Sequence, residues 1–384
     1  MPRVSVVIPS YNHEKYIAAS IQSVLDQTYQ DFEIVITDDS STDNSVEVIK
    51  NFNDPRIKLF CFNKNQGAAV STNNSIQESK GEFIAILNSD DIFVADKLRK
   101  QVSFLDNNPQ FGAVFAYPQV IDEEGNLYKE EHFYRNIFIQ NNRTRFEWLR
   151  YFFLNGNCLC HPSILIRKDC YHQVGLYDVR LAQLPDFDFW IRLCMKYDIY
   201  ILPEKLVKFR IFKNEISASG NRPEVKIRST LEFTQVLKNY TNTDVLDNFF
   251  QVFPESLSTL NIEEKPDELS KEIMLFYIAQ LAIKIDNPAA KYFGIDIFYQ
   301  LLKSNENTVN KIGEHFSFGY IDLIKLAGNQ DIFSVVSLTS TQLKELETLK
   351  SIVQNSKIWR LWMYWIKLKT SFLTTVKRSL RQSH

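Results

Sequence analysis

Two periodicities alternate through the first hundred residues. Residues 4–8 (VSVVI) form a nearly continuous apolar run, as a strand covered on both faces requires. Residues 14–27 then carry Tyr16, Ile17, Ser20, Ile21, Val24 and Leu25 at helical spacing. The pattern repeats with a strand over 32–37 (FEIVIT), a helix over 42–52 striped by Val46, Val48 and Ile49, a strand over 57–62, a helix over 68–79 and a strand over 83–87 (FIAIL). Strand and helix in strict turn predict right-handed βαβ units and a mostly parallel sheet flanked by helices, an α/β fold. Further strands are expected over 112–117 and 163–166, a turn at 122–126, and a helix over 187–195 carrying Phe189, Trp190, Leu193 and Cys194. From about Val225 the pattern turns helical. The expected division is an α/β domain over 1–222, a helical domain over 223–340 and an amphipathic segment over 341–384.

That last segment differs from the rest. Leu343, Leu346, Leu349, Ile352 and Val353 keep one stripe. Trp359, Trp362, Tyr364, Trp365 and Phe372 then mix with Lys357, Arg360, Lys367, Lys369, Lys377, Arg378 and Arg381, without an acidic residue over 357–381. Aromatic and basic residues together predict a helix lying on an anionic membrane surface. The same composition suits packing on the domain or on a partner subunit of a homo-oligomer.

The composition narrows the class. At 384 residues, 45% apolar and 23% charged, the chain suits a folded protein of about two domains. A net charge of -2 argues against a nucleic-acid binder acting through its whole surface. The five cysteines (Cys61, Cys158, Cys160, Cys170 and Cys194) match neither a zinc site nor a disulfide framework. They are expected as buried free thiols, which suits a reducing compartment. No apolar run of about 20 residues is present, and the start resembles no signal peptide. The expected location is cytoplasmic, peripheral on the inner face of the cell membrane.

Polar clusters fall where the parallel strands end, and ligands of such sheets bind beyond their carboxyl ends. Pro9-Ser10-Tyr11-Asn12 follows the first strand, Asp38-Asp39-Ser40-Ser41-Thr42-Asp43 the second, and Asn88-Ser89-Asp90-Asp91 the fourth. Three such ends point to one shared site. The last quartet offers oxygen ligands for one Mn²⁺ or Mg²⁺, an ion held through one or two carboxylates plus substrate phosphates. Its bland alternative is a helix cap by Asp90 or Asp91 for the helix carrying Leu98 and Val102. Asp38 and Asp39 stand side by side, where like charges repel unless donors or a cation lie near. A carboxylate there can accept a base N–H, Tyr11 can stack on the base, and Ser41 or Thr42 suits a helix N-cap.

These motifs, with Asn65-Gln66-Gly67 and Asn73, resemble in order those of family 2 glycosyltransferases, which have a GT-A fold and are inverting. The resemblance implies a nucleotide-diphosphate sugar as donor, UDP-hexose by preference, and an acceptor hydroxyl on a saccharide or a lipid-linked saccharide of a cell-surface polymer. It implies that Pro9, Tyr11, Asn12 and Asp39 line the nucleotide pocket, and that Asn65, Gly67 and Asn73 lie near the nucleotide sugar. Asn88, where the family often has Asp, and Ser89 would face the ribose or sugar. Asp90 would bind the divalent metal, with Asp91 beside it. Asp186, in Leu184-Pro185-Asp186-Phe187-Asp188, aligns with the family's catalytic base and is favoured over Asp188, which a first helical turn welcomes for dipole reasons alone. His161, in His161-Pro162-Ser163, matches a stretch before the base that is more often structural or acceptor-facing. Arg210 or Lys213, in a stretch resembling the closing motif, would contact the diphosphate. The resemblance covers about the first 220 residues.

Two other classes compete. A dinucleotide oxidoreductase or a sugar nucleotidyltransferase needs a glycine-rich turn after the first strand, and Pro9-Ser10-Tyr11-Asn12 has no glycine. A catalytically inactive, membrane-associated scaffold of the same fold is the non-enzymatic alternative.

Overall fold

The computed structural model describes residues 1–129, 132–212, 220, 222–260, 269–333 and 348. Lys213 and, apart from residue 348, the expected tail over 341–384 lie outside the described residues.

The expected alternation is present. Strands β1 (Val4–Ser10), β2 (Phe32–Asp38), β3 (Ile57–Cys61) and β4 (Phe83–Ile86) alternate with helices α1 (Ile17–Leu25), α2 (Ser45–Lys50) and α3 (Ala68–Glu78). After β4 come β5 (Ile92–Phe93), α4 (Lys97–Asn107), β6 (Phe111–Ile121), α5 (Phe133–Asn136), α6 (Arg145–Asn155), β7 (Leu165–Arg167), α7 (Lys168–Val174), α8 (Pro185–Lys196) and β8 (Asp198–Arg210). These strands form one sheet in the order β3-β2-β1-β4-β7-β6-β8-β5. β1 runs parallel to β2 and β4, and β2 parallel to β3. β7 is antiparallel to both β4 and β6, whereas β6 and β8 are parallel. Val6, Val7, Ile8, Ile34, Val35, Ile36, Ile84, Ala85 and Ile86 are fully buried, because helices cover both faces of the central strands.

Register brings the loops level. Ser10 pairs with Asp38 at the ends of β1 and β2, and Leu87, just past β4, donates its amide to the Val7 carbonyl. Residues 9–13, 38–45 and 88–91 therefore lie together at the carboxyl ends of the parallel strands.

Several bounds differ from expectation for local reasons. α2 starts at Ser45 with Asn44 at the N-cap position, not Ser41 or Thr42. Ser41 is instead bonded through its amide and hydroxyl to Asp38, and the Thr42 amide to Asn12 Oδ1. α4 starts at Lys97 behind Asp96, with β5 intervening, so neither Asp90 nor Asp91 caps it. Cys61 is exposed at the end of β3, while the other four thiols are buried and free. β8 was not expected from the sequence, and by pairing with β6 it lengthens that strand to eleven residues.

Beyond β8 the described elements are helical, beginning with α9 (Pro223–Leu237). Among the described residues, packing joins the parts of the chain on either side of residue 222. The Tyr240 hydroxyl donates to the Leu149 carbonyl of α6, and the Phe153 ring meets those of Tyr240 and Phe253. By contact density the chain falls into two units, Met1–Tyr320 and Ile321–His384. Among the described residues no helix is long and apolar enough to cross a membrane.

Candidate active site

Asp38, the last residue of β2, and Asp39 after it do not share a charge problem, because each has its own donors. Asp38 accepts from the hydroxyls of Ser10 and Ser41 and from the Ser41 amide. Asp39 turns the other way, and its two oxygens take the amides of Gln66 and Gly67 at 2.7 and 2.8 Å. Adjacent residues at a strand end point to opposite faces, which separates the carboxylates. Both are buried, and hydrogen bonding offsets the cost of that burial. An ionised carboxylate has about four acceptor positions, so Asp39 retains capacity for a further donor.

Around Asp39 the loops are tied together. Asn12, at φ 52°, donates its amide to Ser41 Oγ and accepts the Thr42 amide. Tyr11 keeps 44% of its surface exposed, an uncovered ring on which a base can stack. Asn65 is exposed in the same region of chain as Gly67. Asn73 lies elsewhere in the fabric: its amide donates to the Tyr177 carbonyl and its Oδ1 accepts the Tyr177 amide, a two-point clamp on the loop before α8.

Gly67 is the glycine whose conformation matters here. At φ 96°, ψ 152° it occupies a region reserved for glycine, and its amide serves Asp39. A Cβ there meets no atom within 4 Å, so the penalty of Gly67→Ala is torsional. We expect a loss of about 1–3 kcal/mol in urea denaturation. An alanine variant with wild-type stability would show that the turn is not strained in this way.

The acidic loop after β4 is held from three sides. Ser20 Oγ on α1 donates to the carbonyls of Ser89 and Asp91, and Ser89 Oγ lies 2.6 Å from His13 Nδ1. Asp91 is buried, accepting the Arg210 amide on one oxygen and the Asn88 side-chain amide on the other. Burial, and then Asp90, raise the Asp91 carboxyl well above the usual range. Arg210 is also buried, with its guanidinium committed to the carbonyls of Asp90, Asp122 and Glu123. It braces the loop rather than standing free toward a diphosphate.

Asp90 is different. It is only half-buried, and among the described residues its carboxylate accepts no hydrogen bond from another residue. Burial raises its carboxyl, while the neighbouring His13 and Arg210 act in the opposite sense. A half-buried carboxylate with no hydrogen bond from another described residue, two positions from Asn88, suits one hard divalent cation completed by phosphate oxygens. Among the described residues there is no cluster of three or more His, Cys, Asp or Glu for a cation held by protein alone.

Asp186 enters from the other side. Leu184 occupies the N-cap position of α8 and Pro185 the first helical position, which suits its fixed φ. Asp186 is therefore inside the first turn, not the cap. Its Oδ1 accepts the Phe187 amide at 2.7 Å and its Oδ2 the Asn157 side chain at 3.0 Å. Burial pushes its carboxyl up to about 6. Asp188 has both oxygens occupied, one by Arg192 at 2.8 Å and one by Asn239 at 2.7 Å. His161 Nε2 lies 3.0 Å from the Tyr177 hydroxyl, and burial pushes the imidazole down to about 4, leaving it neutral near pH 7.

The two halves meet in one cavity of about 420 Å³, a size that accommodates a small ligand. Pro9, Ala68, Thr72 and Asn88 line it on the side of the parallel strands, and Asn157, His161, Tyr177 and Asp186 on the other. Phe133, Tyr134, Ile137, Phe138 and Phe209 add an aromatic and apolar wall. Burial, and then Asp91, raise the buried Cys160 thiol well above its usual range, with Asp186 adding in the same sense. His13, Asn157 and Tyr177 carry parts of this site that the sequence did not reveal. Only Asn157, two residues before the Leu159 it turns toward through its Oδ1, has even a local signal: it follows Gly156, which ends α6 at φ 81°.

Residues 5–175 match the family described as Glycosyl transferase family 2. Over 215 residues the chain is 33% identical to the uncharacterized glycosyltransferase MJ1057 of Methanocaldococcus jannaschii, covering 55% of this chain and 71% of that one. Over 109 residues it is 47% identical to the UDP-Glc:alpha-D-GlcNAc-diphosphoundecaprenol beta-1,3-glucosyltransferase WfgD of Escherichia coli, covering 28% of this chain and 43% of that one. The crystal structure of S. aureus TarS superposes with a TM-score of 0.51 at 16% identity, covering 80% of this chain and 50% of that one, a likeness of fold.

Proposed function

The chain belongs to glycosyl transferase family 2, and on that premise we propose that it is an inverting, metal-dependent hexosyltransferase using a UDP-linked sugar. Its acceptor on this reading is a hydroxyl of a saccharide, free or lipid-linked, in cell-surface polymer synthesis. The observation that carries the proposal is the shared cavity, lined at once by Asn88 of the acidic loop and by Asp186. The donor and acceptor classes are supported by WfgD, whose name specifies UDP-Glc and a diphosphoundecaprenol-linked GlcNAc.

The chain's residues then divide the work. Tyr11 and Asp39 receive the base, with the loops of Asn12 and Gly67 fixing them. Asp186 takes the proton of the acceptor hydroxyl as its oxygen attacks the anomeric carbon from the face opposite the diphosphate. The carbon–oxygen bond to the diphosphate breaks, the new glycosidic bond forms with inverted configuration, and the proton rests on Asp186. A carboxyl titrating near 6 is ionised at pH 7 yet basic enough for that task. A divalent cation held by Asp90 and Asn88 would neutralise charge developing on the departing diphosphate. His161, neutral and bonded to Tyr177, shapes the acceptor side without exchanging protons.

Incubating the purified chain with UDP-glucose and Mn²⁺ should release free UDP, faster when a saccharide acceptor is present. Silence with all common nucleotide sugars and both Mn²⁺ and Mg²⁺ would overturn the proposal in favour of a scaffold.

A further inference from the structure

Just before α8 the chain turns through Ala182, Gln183 and Leu184, and the three successive amides converge on one side chain. Ala182 N donates to Glu232 Oε1 at 2.8 Å, and Gln183 N and Leu184 N donate to Oε2 at 2.7 and 2.9 Å. Glu232 stands on α9 and is 6% exposed. It lies beyond both the family match, which ends at residue 175, and the boundary near 222 expected from the sequence.

Two features make this more than a buried polar contact. α8 has no side-chain cap of its own, since Leu184 fills the N-cap position. Successive amides at a helix N-terminus form an anion-binding nest aided by the helix dipole. Here a carboxylate from another helix occupies the nest, and burying an ionised group is sustained by such charge-assisted bonds. The same stretch also walls the active cavity: Ala182, Gln183 and Leu184 line it directly before Asp186. Val225 and Ser229, four and three residues apart from one another and from Glu232 along the same face of α9, line that cavity too.

We infer that Glu232 is a positioning residue, fixing the start of α8 and with it the Asp186 carboxylate, so that α9 completes the active site. Asp186 is thereby held from two directions, by the Asn157 side chain on one oxygen and by the anchored backbone that carries it. This rests on Asp186 acting in the transfer proposed above.

The test uses the full chain with Glu232→Gln, which keeps size but removes the charge and one acceptor, and with Glu232→Asp, which keeps the charge. For Glu232→Gln, circular dichroism and a cooperative melt should report a retained fold. Hydrogen exchange at amides 182–184 should rise at least about tenfold, since their shared acceptor is weakened. The Asp186 titration, followed by carbon NMR, should fall toward the ordinary Asp range as the loop admits water. With UDP-glucose, kcat should fall about tenfold at unchanged donor KM, as misplacement of a reacting group demands, and Glu232→Asp should recover part of it. Faster exchange with an unmoved Asp186 titration and unmoved kcat would reduce Glu232 to a structural residue. A rise in donor KM alone would assign it to donor binding and overturn the inference. Should the wild-type chain transfer no sugar, the transferase proposal falls, while the Asp186 titration still decides whether Glu232 sets that carboxyl's environment.

Discussion

Asp186→Asn should lower the rate of sugar transfer about 10²–10⁴-fold, the range a positioned general base contributes, while leaving nucleoside diphosphate affinity close to that of the wild type. The substitution is nearly isosteric and touches none of the loops at the ends of β1, β2 and β4. It removes only the group that can receive the acceptor's proton. The new amide oxygen can still take the Phe187 amide now held at 2.7 Å. Its NH₂ group would face the Asn157 amide now donating at 3.0 Å, and Asn157 is itself pinned because its Oδ1 accepts the Leu159 amide.

The accompanying stability change distinguishes a base from a structural carboxylate. The Asp186 carboxyl is raised by burial from 3.8 to about 6, so the folded chain binds more protons than the unfolded chain between those values. Stability falls as pH rises through that window, by roughly 3 kcal/mol once both states are ionised. Replacing the carboxyl should therefore raise the melting temperature at pH 7 while the rate collapses, the trade expected of a site strained for function. In the wild type, kcat/KM should fall tenfold per pH unit below about 6. Asp188 serves as the contrast, since its two oxygens already serve Arg192 and Asn239. A variant at Asp186 that keeps its rate, or an acid limb absent down to pH 5, would remove Asp186 from the mechanism.

The contrast between these two aspartates also shows what a sequence can and cannot disclose. The parallel strands were legible because burial on both faces forces an apolar run, and their ends because polar loops interrupt such runs abruptly. β8 was hidden by its composition: DIYILPEKLVKFR mixes charges into a strand whose outer residues are half-exposed. It was found only through its pairing with β6. The helix bounds shifted where side chains took work that a cap would do, as Ser41 did for Asp38. Asp90 and Asp186 were legible as motif positions. The division of labour between Asp90 and Asp91, however, depends on the amide of Arg210, 119 residues away. Glu232, 48 to 50 residues from the amides it binds, carries no local signature at all, and Asn157, 29 residues from Asp186, has only the Gly156 before it. Such residues acquire their roles only when the chain closes, so no spacing rule finds them.

Asp90→Ala should abolish metal-stimulated transfer, a loss of about 10²–10⁴-fold, equivalent to several kcal/mol of transition-state charge stabilisation. The reason lies in the difference between the two acidic neighbours. Asp91 is committed within the protein, with one oxygen on the Arg210 amide and one on Asn88, and it is buried. Asp90 is half-buried and, among the described residues, accepts no hydrogen bond from another residue, with burial raising its carboxyl. A half-buried carboxylate so sparsely bonded is costly unless a cation or proton compensates it. Arg210 does not fill that need, because its guanidinium is spent on three carbonyls, that of Asp90 among them. Calorimetry of UDP binding provides the decisive comparison. In the wild type Mn²⁺ should tighten UDP, whereas in Asp90→Ala the affinity should be the same with and without the ion. Asp91→Asn should instead keep the metal response, because the Asp91 oxygens serve the Arg210 amide and Asn88 within the protein. If Asp90→Ala still bound UDP more tightly with Mn²⁺, the cation would have to be held elsewhere, and the half-buried Asp90 carboxylate would need another explanation.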